Sequence, residues 1–163
     1  MSSQTSIRAA SAGDLDAMWA IFDAAIGAGD SLPFGEGFDR QTFQAHWFGS
    51  HAAYVALRGG SVVGMYKMGP NYPDHGAHIA SATYAVAPDA QGQGVGRALV
   101  ADSLQRARQE GFLAMQFNYV VTTNAPAMAL YRTFGFEQVG ALPRAFRHRE
   151  LGLVDACVLY RTL

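Results

Sequence analysis

The stretch Val86-Ala87-Pro88-Asp89-Ala90-Gln91-Gly92-Gln93-Gly94-Val95-Gly96-Arg97-Ala98-Leu99 joins a strand-like apolar segment to a periodic helix-like one. Gly92, Gly94 and Gly96 let the backbone curl and approach a ligand closely. Their amides then point past a helix N-terminus, where unpaired N–H groups and the positive end of the helix dipole make an anion site. Each favourable charge at a helix end contributes roughly 0.3–1 kcal/mol, so several amides together suit a pyrophosphate. Two other phosphate loops are excluded. A P-loop requires Lys and then Ser or Thr after its last glycine, and Arg97-Ala98 stands here. A dinucleotide fingerprint requires Gly-x-Gly-x-x-Gly, and the spacing here is Gly92, Gly94, Gly96.

Working outward, residues 77–87 predict a strand ahead of the turn and residues 95–110 a helix after it. Val95, Ala98, Leu99, Ala101 and Leu104 form the helix's apolar face. Downstream, 114–121 reads as a strand and 124–134 as a helix with Pro126 in its first turn. Gly135 fits the position after that helix, and short strands follow at 136–139 and 154–160. Upstream, strands 52–57 and 61–68 flank the hairpin signal Arg58-Gly59-Gly60-Ser61. A first strand is expected at 6–10. A helix follows at 15–26, stopped by Gly27 and Gly29, and a second helix is capped by Asp39. This order predicts an α/β domain with helices on both faces of a mixed sheet.

Composition sets limits on function. The 163 residues are 50% apolar and 15% charged, as in a globular domain, and the net charge of −1 provides no field to gather nucleic acid. No run approaches the roughly 20 apolar residues of a membrane span, so a cytoplasmic protein is expected. Cys157 alone builds neither a disulfide framework nor a cysteine metal site. His46, His51, His75, His78 and His148 lack metal-ligand spacing, so no metal is expected.

At Gln91, Gly94 and Gly96, with Val86 and Pro88 before them, the chain resembles the GCN5-related N-acetyltransferase (GNAT) family. The cluster Asn124, Ala127, Leu130, Tyr131, Phe134, Gly135 and Phe136 looks like that family's second motif. The resemblance implies one domain over 1–163, with a mostly antiparallel sheet of about seven strands and about four helices. Its acyl-CoA-binding core would span about 52–140 and a substrate-shaping segment about 11–51. It implies acetyl-CoA as co-substrate, with the pyrophosphate on the main chain of Gln91, Gly92, Gln93, Gly94, Val95, Gly96 and Arg97. The pantetheine arm would pair with the main chain at Val86. It also implies transfer of the acetyl group to a small-molecule amine by direct attack in a ternary complex. A protein N-terminal or lysine acetyltransferase and a non-catalytic acyl-CoA sensor are the alternatives, and a homodimer is left open.

An amine attacking a thioester must be neutral and close to the carbonyl, and the departing thiolate needs a proton. By resemblance Tyr131 is the general acid; its other reading is a core tyrosine. Asn124 can cap its helix and also contact CoA. Asn118, inside the apolar strand Met115 to Val121, is expected to be buried, orienting the thioester carbonyl, binding a polar substrate group or serving a structural hydrogen bond. Glu36, His78 and water are the candidate bases. Phe34, Glu36 and Ser81 are expected to face the acceptor. Pro70-Asn71-Tyr72-Pro73, Phe117-Asn118 and Val121-Thr122-Thr123-Asn124 look like the branch containing the fungal acetyltransferase that detoxifies proline analogues. That branch implies a small amino acid or cyclic secondary amine as acceptor.

Overall fold

In chain order the elements are β1 (Ser6–Ala9), α1 (Leu15–Ala28), α2 (Arg40–Trp47), β2 (Ala52–Arg58), β3 (Ser61–Pro70), β4 (Ile79–Val86), α3 (Val95–Gln109), β5 (Ala114–Val121), α4 (Ala125–Thr133), β6 (Glu137–His148) and β7 (Gly152–Thr162). The computed structural model describes residues 4–163, so residues 1–3 of the expected domain lie outside the described residues. One seven-stranded sheet runs β1-β2-β3-β4-β5-β7-β6. Every neighbouring pair is antiparallel except β4 and β5. Among the described residues, no helix is long and apolar enough to cross a membrane.

Strand alternation sends successive side chains to opposite faces. Tyr66 of β3 donates to Asp102 Oδ2 of α3 at 2.6 Å, and Tyr84 of β4 meets Ser103 Oγ of α3 at 2.7 Å. Lys67 and Thr83, one residue on and paired in register, therefore face the opposite layer, formed by α1 and α2. There the aromatic stripe of the N-terminal third is mainly core. Phe22, Phe43 and Trp47 are fully buried, and Phe22 lies 5.0–6.1 Å from Phe34, Phe38, Phe43 and Trp47.

Several termini differ from expectation: β3 ends at Pro70 rather than 68, β4 starts at Ile79 rather than 77, and β7 runs Gly152–Thr162 rather than 154–160. Two further differences have a clear local cause. α1 runs through Gly27 and stops only at Gly29, which takes a left-handed φ of 65°. β6 does not end at 139 but continues to His148, because Pro143 falls in a bulge of an edge strand rather than in a ladder. Asp39 does cap α2, accepting from the Thr42 amide at 2.8 Å.

Asp14 ties β1 to α1. Its carboxylate accepts from both Arg8 guanidinium nitrogens at 2.7 and 2.8 Å and from the Ser11 amide at 2.8 Å. The Arg8 hydrogen bonds are the largest cause holding its carboxyl well below the usual range. Because the folded value is depressed, this stabilisation is complete above the unfolded carboxyl's pKa of about 4 and is lost as pH falls below it. Asp14→Asn removes the charged pairing with half-exposed Arg8 and should cost about 0.5–2 kcal/mol at neutral pH, between an exposed ion pair and a charged hydrogen bond. Thermal melts between neutral and acid pH should show the variant losing less on acidification than the parent.

Candidate active site

β4 and β5 pair for only two residues, Ile79 with Ala114 and Ala80 with Met115, and then separate. Beyond that point alternate residues of β4 turn their N–H and C=O groups away from β3 into a gap. A cleft of about 1200 Å³ follows this split, from the glycine turn at one end to α1 and the tip of the β6–β7 hairpin at the other.

The turn closes one end. Gly92 and Gly94 have φ of 73° and 85°, and Gly94 is the N-cap of α3 with no side chain bonded to the first amides. No acidic residue lies in that first helical turn. Gln91, Gly92, Gly94, Gly96 and Arg97 line the cleft, whereas the side chains of Gln93 and Val95 do not. Gln93 is held by Arg58, which donates to its carbonyl at 2.6 Å, and it donates in turn to the Asp89 carbonyl at 2.9 Å. Val95 is buried in the core. These two residues can reach an anion only through their amides. A Cβ on Gly96 would lie 3.4 Å from Leu130 Cδ2 and 3.9 Å from Val86 Cγ2, so Gly96 floors a narrow passage between β4 and α4.

Tyr131 borders the middle of the cleft. Its ring packs 4.7 Å from Phe117 and 6.2 Å from Tyr84, and its hydroxyl makes no hydrogen bond among the described residues. Burial raises its pKa above the ordinary phenol value, so it is protonated at neutral pH. Asn124 also lines the cleft and accepts from the Ala127 amide at 3.4 Å, a long capping bond.

Asn118 is exposed to the cleft rather than buried. The reason is a β-bulge: Phe117 pairs with Leu159 and Val120 with Cys157, so Asn118 and Tyr119 together oppose one residue of β7. Asn118 Nδ2 donates to Asn71 Oδ1 at 2.6 Å, Asn71 Nδ2 returns a bond at 3.2 Å, and Gln116 Nε2 donates to Asn118 Oδ1 at 2.8 Å. These amides span β4 close to where it parts from β5.

Phe34 and Ser81 line the cleft; Glu36 and His78 do not. Glu36 is exposed in the α1–α2 loop, and His78 is exposed with its carbonyl accepting from Leu113 N–H at 2.9 Å. The acceptor end contains residues that the sequence reading missed: Asp30, His46, His51, Lys67, Tyr119 and His148. Lys67 carried a visible signal, a lone charge inside the apolar run Val62 to Met68. Arg149, at the hairpin tip, donates to the Gly27 carbonyl at 2.6 Å and, through its amide, to Gly29 at 3.0 Å. A cation is favourable at that helix C-terminus. Among the described residues no three His, Cys, Asp or Glu side chains converge as a metal site would require.

A split parallel pair in an otherwise antiparallel sheet, with a glycine turn opening the next helix, defines a class of acyl-coenzyme A-binding domains. The sequence model of the Acetyltransferase (GNAT) family matches residues 19–136. A GCN5-related N-acetyltransferase from Kribbella flavida is 36% identical, superposes with a TM-score of 0.94 and covers 98% of each chain. The ribosomal-protein-alanine N-acetyltransferase of Brucella melitensis is 29% identical with a TM-score of 0.83, covering 97% of this chain and 99% of that one. Mycothiol acetyltransferase of Saccharomonospora viridis is 39% identical over 106 residues, 61% of this chain and 34% of that one. The chain spans less than two thirds of the length of the curated relatives it matches, from 13% to 60%. It belongs to the acetyltransferase (GNAT) family.

Proposed function

We propose that the chain acetylates the amine of a small molecule, an amino acid or amino-acid analogue, by direct attack in a ternary complex within this cleft. The observation that carries it is the split between β4 and β5, with the unpaired Tyr131 hydroxyl beside it and the uncapped α3 amides at its end. When bound, acetyl-CoA supplies an activated acetyl thioester. The amides of Gln91 to Gly96 hold its pyrophosphate, and Arg97 adds charge at the same end. The main chain near Val86 takes the pantetheine arm, and Asn124 lies alongside. On this reading residues 52–140 form the coenzyme-binding core and 11–51 shape the acceptor space.

Phe34, Ser81 and the Asn71–Asn118 pair border the acceptor. Its nitrogen forms a bond to the acyl carbon as the carbon–sulfur bond breaks, and the Tyr131 hydroxyl gives its proton to the leaving sulfur. With Glu36 and His78 outside the cleft, water receives the proton of the acceptor amine and a proton returns through water to the Tyr131 phenolate, which restores the phenol. The hairpin tip tied to α1 by Arg149 narrows the acceptor end, which supports a small acceptor over a long peptide. The Asn71–Asn118 bridge lends support to the amino-acid branch.

The likeness to the Brucella enzyme favours a second reading, acetylation of a protein N-terminus. Thiol release from acetyl-CoA, followed by mass analysis of the product, should be measured with small amines, amino acids and peptides having free N-termini. Turnover confined to small amines is expected. Turnover confined to peptides would favour the second reading. Tight CoA binding with no turnover would instead make the chain a sensor.

A further inference from the structure

We propose that Lys67 is the counter-ion for a carboxylate carried by the acceptor, and so selects amino-acid-type amines over neutral ones; this rests on the small-molecule reading above. Lys67 lies on β3, is only 7% exposed, and lines the acceptor end of the cleft. Its register with Thr83 places it on the face covered by α1 and α2. Among the described residues no carboxylate or carbonyl accepts a hydrogen bond from its ammonium. The side chain is buried while its ammonium opens onto the cleft, since Trp47 Nε1 alone among the described residues is a sealed polar side-chain atom without a partner. A largely desolvated ammonium without an anion is costly, so its open side is where an anion would pair with it. Asp30 is the one carboxylate lining the cleft, and it forms no ion pair with Lys67.

The neighbouring groups suit an incoming anion. His46 of α2 and His51 before β2 both have pKa values lowered, chiefly by burial and then by the Lys67 charge. Both are therefore neutral at pH 7; His46 can offer one N–H to an anion without a second full charge, while the single N–H of neutral His51 is committed to the Pro70 carbonyl and orders that wall of the cleft. The His51 ring lies over Gly69, where a Cβ would collide with it, and donates from Nε2 to the Pro70 carbonyl at 3.0 Å. Burial also lowers the pKa of Lys67 itself, a loss that a bound carboxylate would reverse. Arg97, the other cation in the cleft wall, stands at the pyrophosphate end and so does not compete for the acceptor.

The test is steady-state kinetics at saturating acetyl-CoA with matched acceptors, each amino acid against its own carboxamide, for the parent and for Lys67→Met. The parent should prefer the acid. Lys67→Met should lower that acid-over-amide preference by roughly 10- to 100-fold, the size expected for losing a charged hydrogen bond, mainly through the acceptor KM. The KM for acetyl-CoA should stay put. Lys67→Gln serves if the Met variant melts early. With the parent alone, N-acetyl amino acids should inhibit against acceptor at least tenfold more tightly than their amides. A parent indifferent to the carboxylate, or variants that keep its preference, would overturn the role of Lys67 while leaving amine acetylation intact. An equal loss of kcat on acid and amide would also overturn it, placing Lys67 at the reacting amine. Absence of transfer to every small amine would remove both readings together.

Discussion

Replacing Tyr131 by phenylalanine should lower kcat by roughly 10²- to 10⁴-fold, the usual contribution of a positioned general acid. The substitution is clean in this fold. The ring keeps its contacts with Phe117 at 4.7 Å and Phe136 at 5.9 Å. The hydroxyl it removes has no hydrogen-bond partner among the described residues, so no internal donor or acceptor is orphaned and the melting temperature should hardly move. Acceptor KM and CoA affinity should change little, because the lost interaction is made to the departing sulfur. The effect should shrink with an acetyl thioester of a more acidic thiol, which leaves with less help. A variant at parental kcat on both thioesters, with chemistry rate-limiting, would hand the proton to water and leave Tyr131 a packing residue.

Gly96→Val should weaken CoA binding by about 100-fold or more while the protein stays folded. The two neighbouring glycines are not equivalent tests. Gly94 sits at φ 85°, so any side chain there strains the backbone and confuses loss of binding with loss of structure. Gly96 has no positive φ, lies in the first turn of α3, and would place a Cβ in ordinary contact with Leu130. Valine adds methyl groups beyond that Cβ, into the passage between Val86 and Leu130. Displacing the pyrophosphate from even two amides forfeits about 3 kcal/mol, at 1.5 or more for each charged hydrogen bond, which is about two orders of magnitude in Kd. Calorimetry with CoA and a thermal melt on the same sample separate affinity from stability.

Much of this fold is legible in the chain because its signals are local. The hairpin at Arg58–Ser61, the cap at Asp39 and the glycine turn before Val95 each announce themselves within a few residues, and the elements fall where those signals place them. β6 was hidden because Gly140 and Pro143 look like breakers, and an edge strand with a bulge tolerates both. The candidate site divides the same way. The residues proposed for the pyrophosphate, Gln91 to Arg97, are contiguous, so their pattern shows within the chain. Its acceptor side is assembled from α1, α2, β3, β5 and the β6–β7 hairpin, so Asp30, His46, His51 and His148 carry no shared sequence pattern. Asn118 was expected to be buried because a regular strand would place it among apolar neighbours. The bulge that exposes it is set by pairing with β7, about 40 residues further along the chain.

The most direct test is a crystal structure of the protein grown with CoA. The coenzyme should lie in the split between β4 and β5, its pyrophosphate oxygens within hydrogen-bond distance of amides in the Gln91–Gly96 segment and its sulfur facing the Tyr131 hydroxyl. A coenzyme bound elsewhere, or lying in the split with its pyrophosphate away from those amides, would contradict the account.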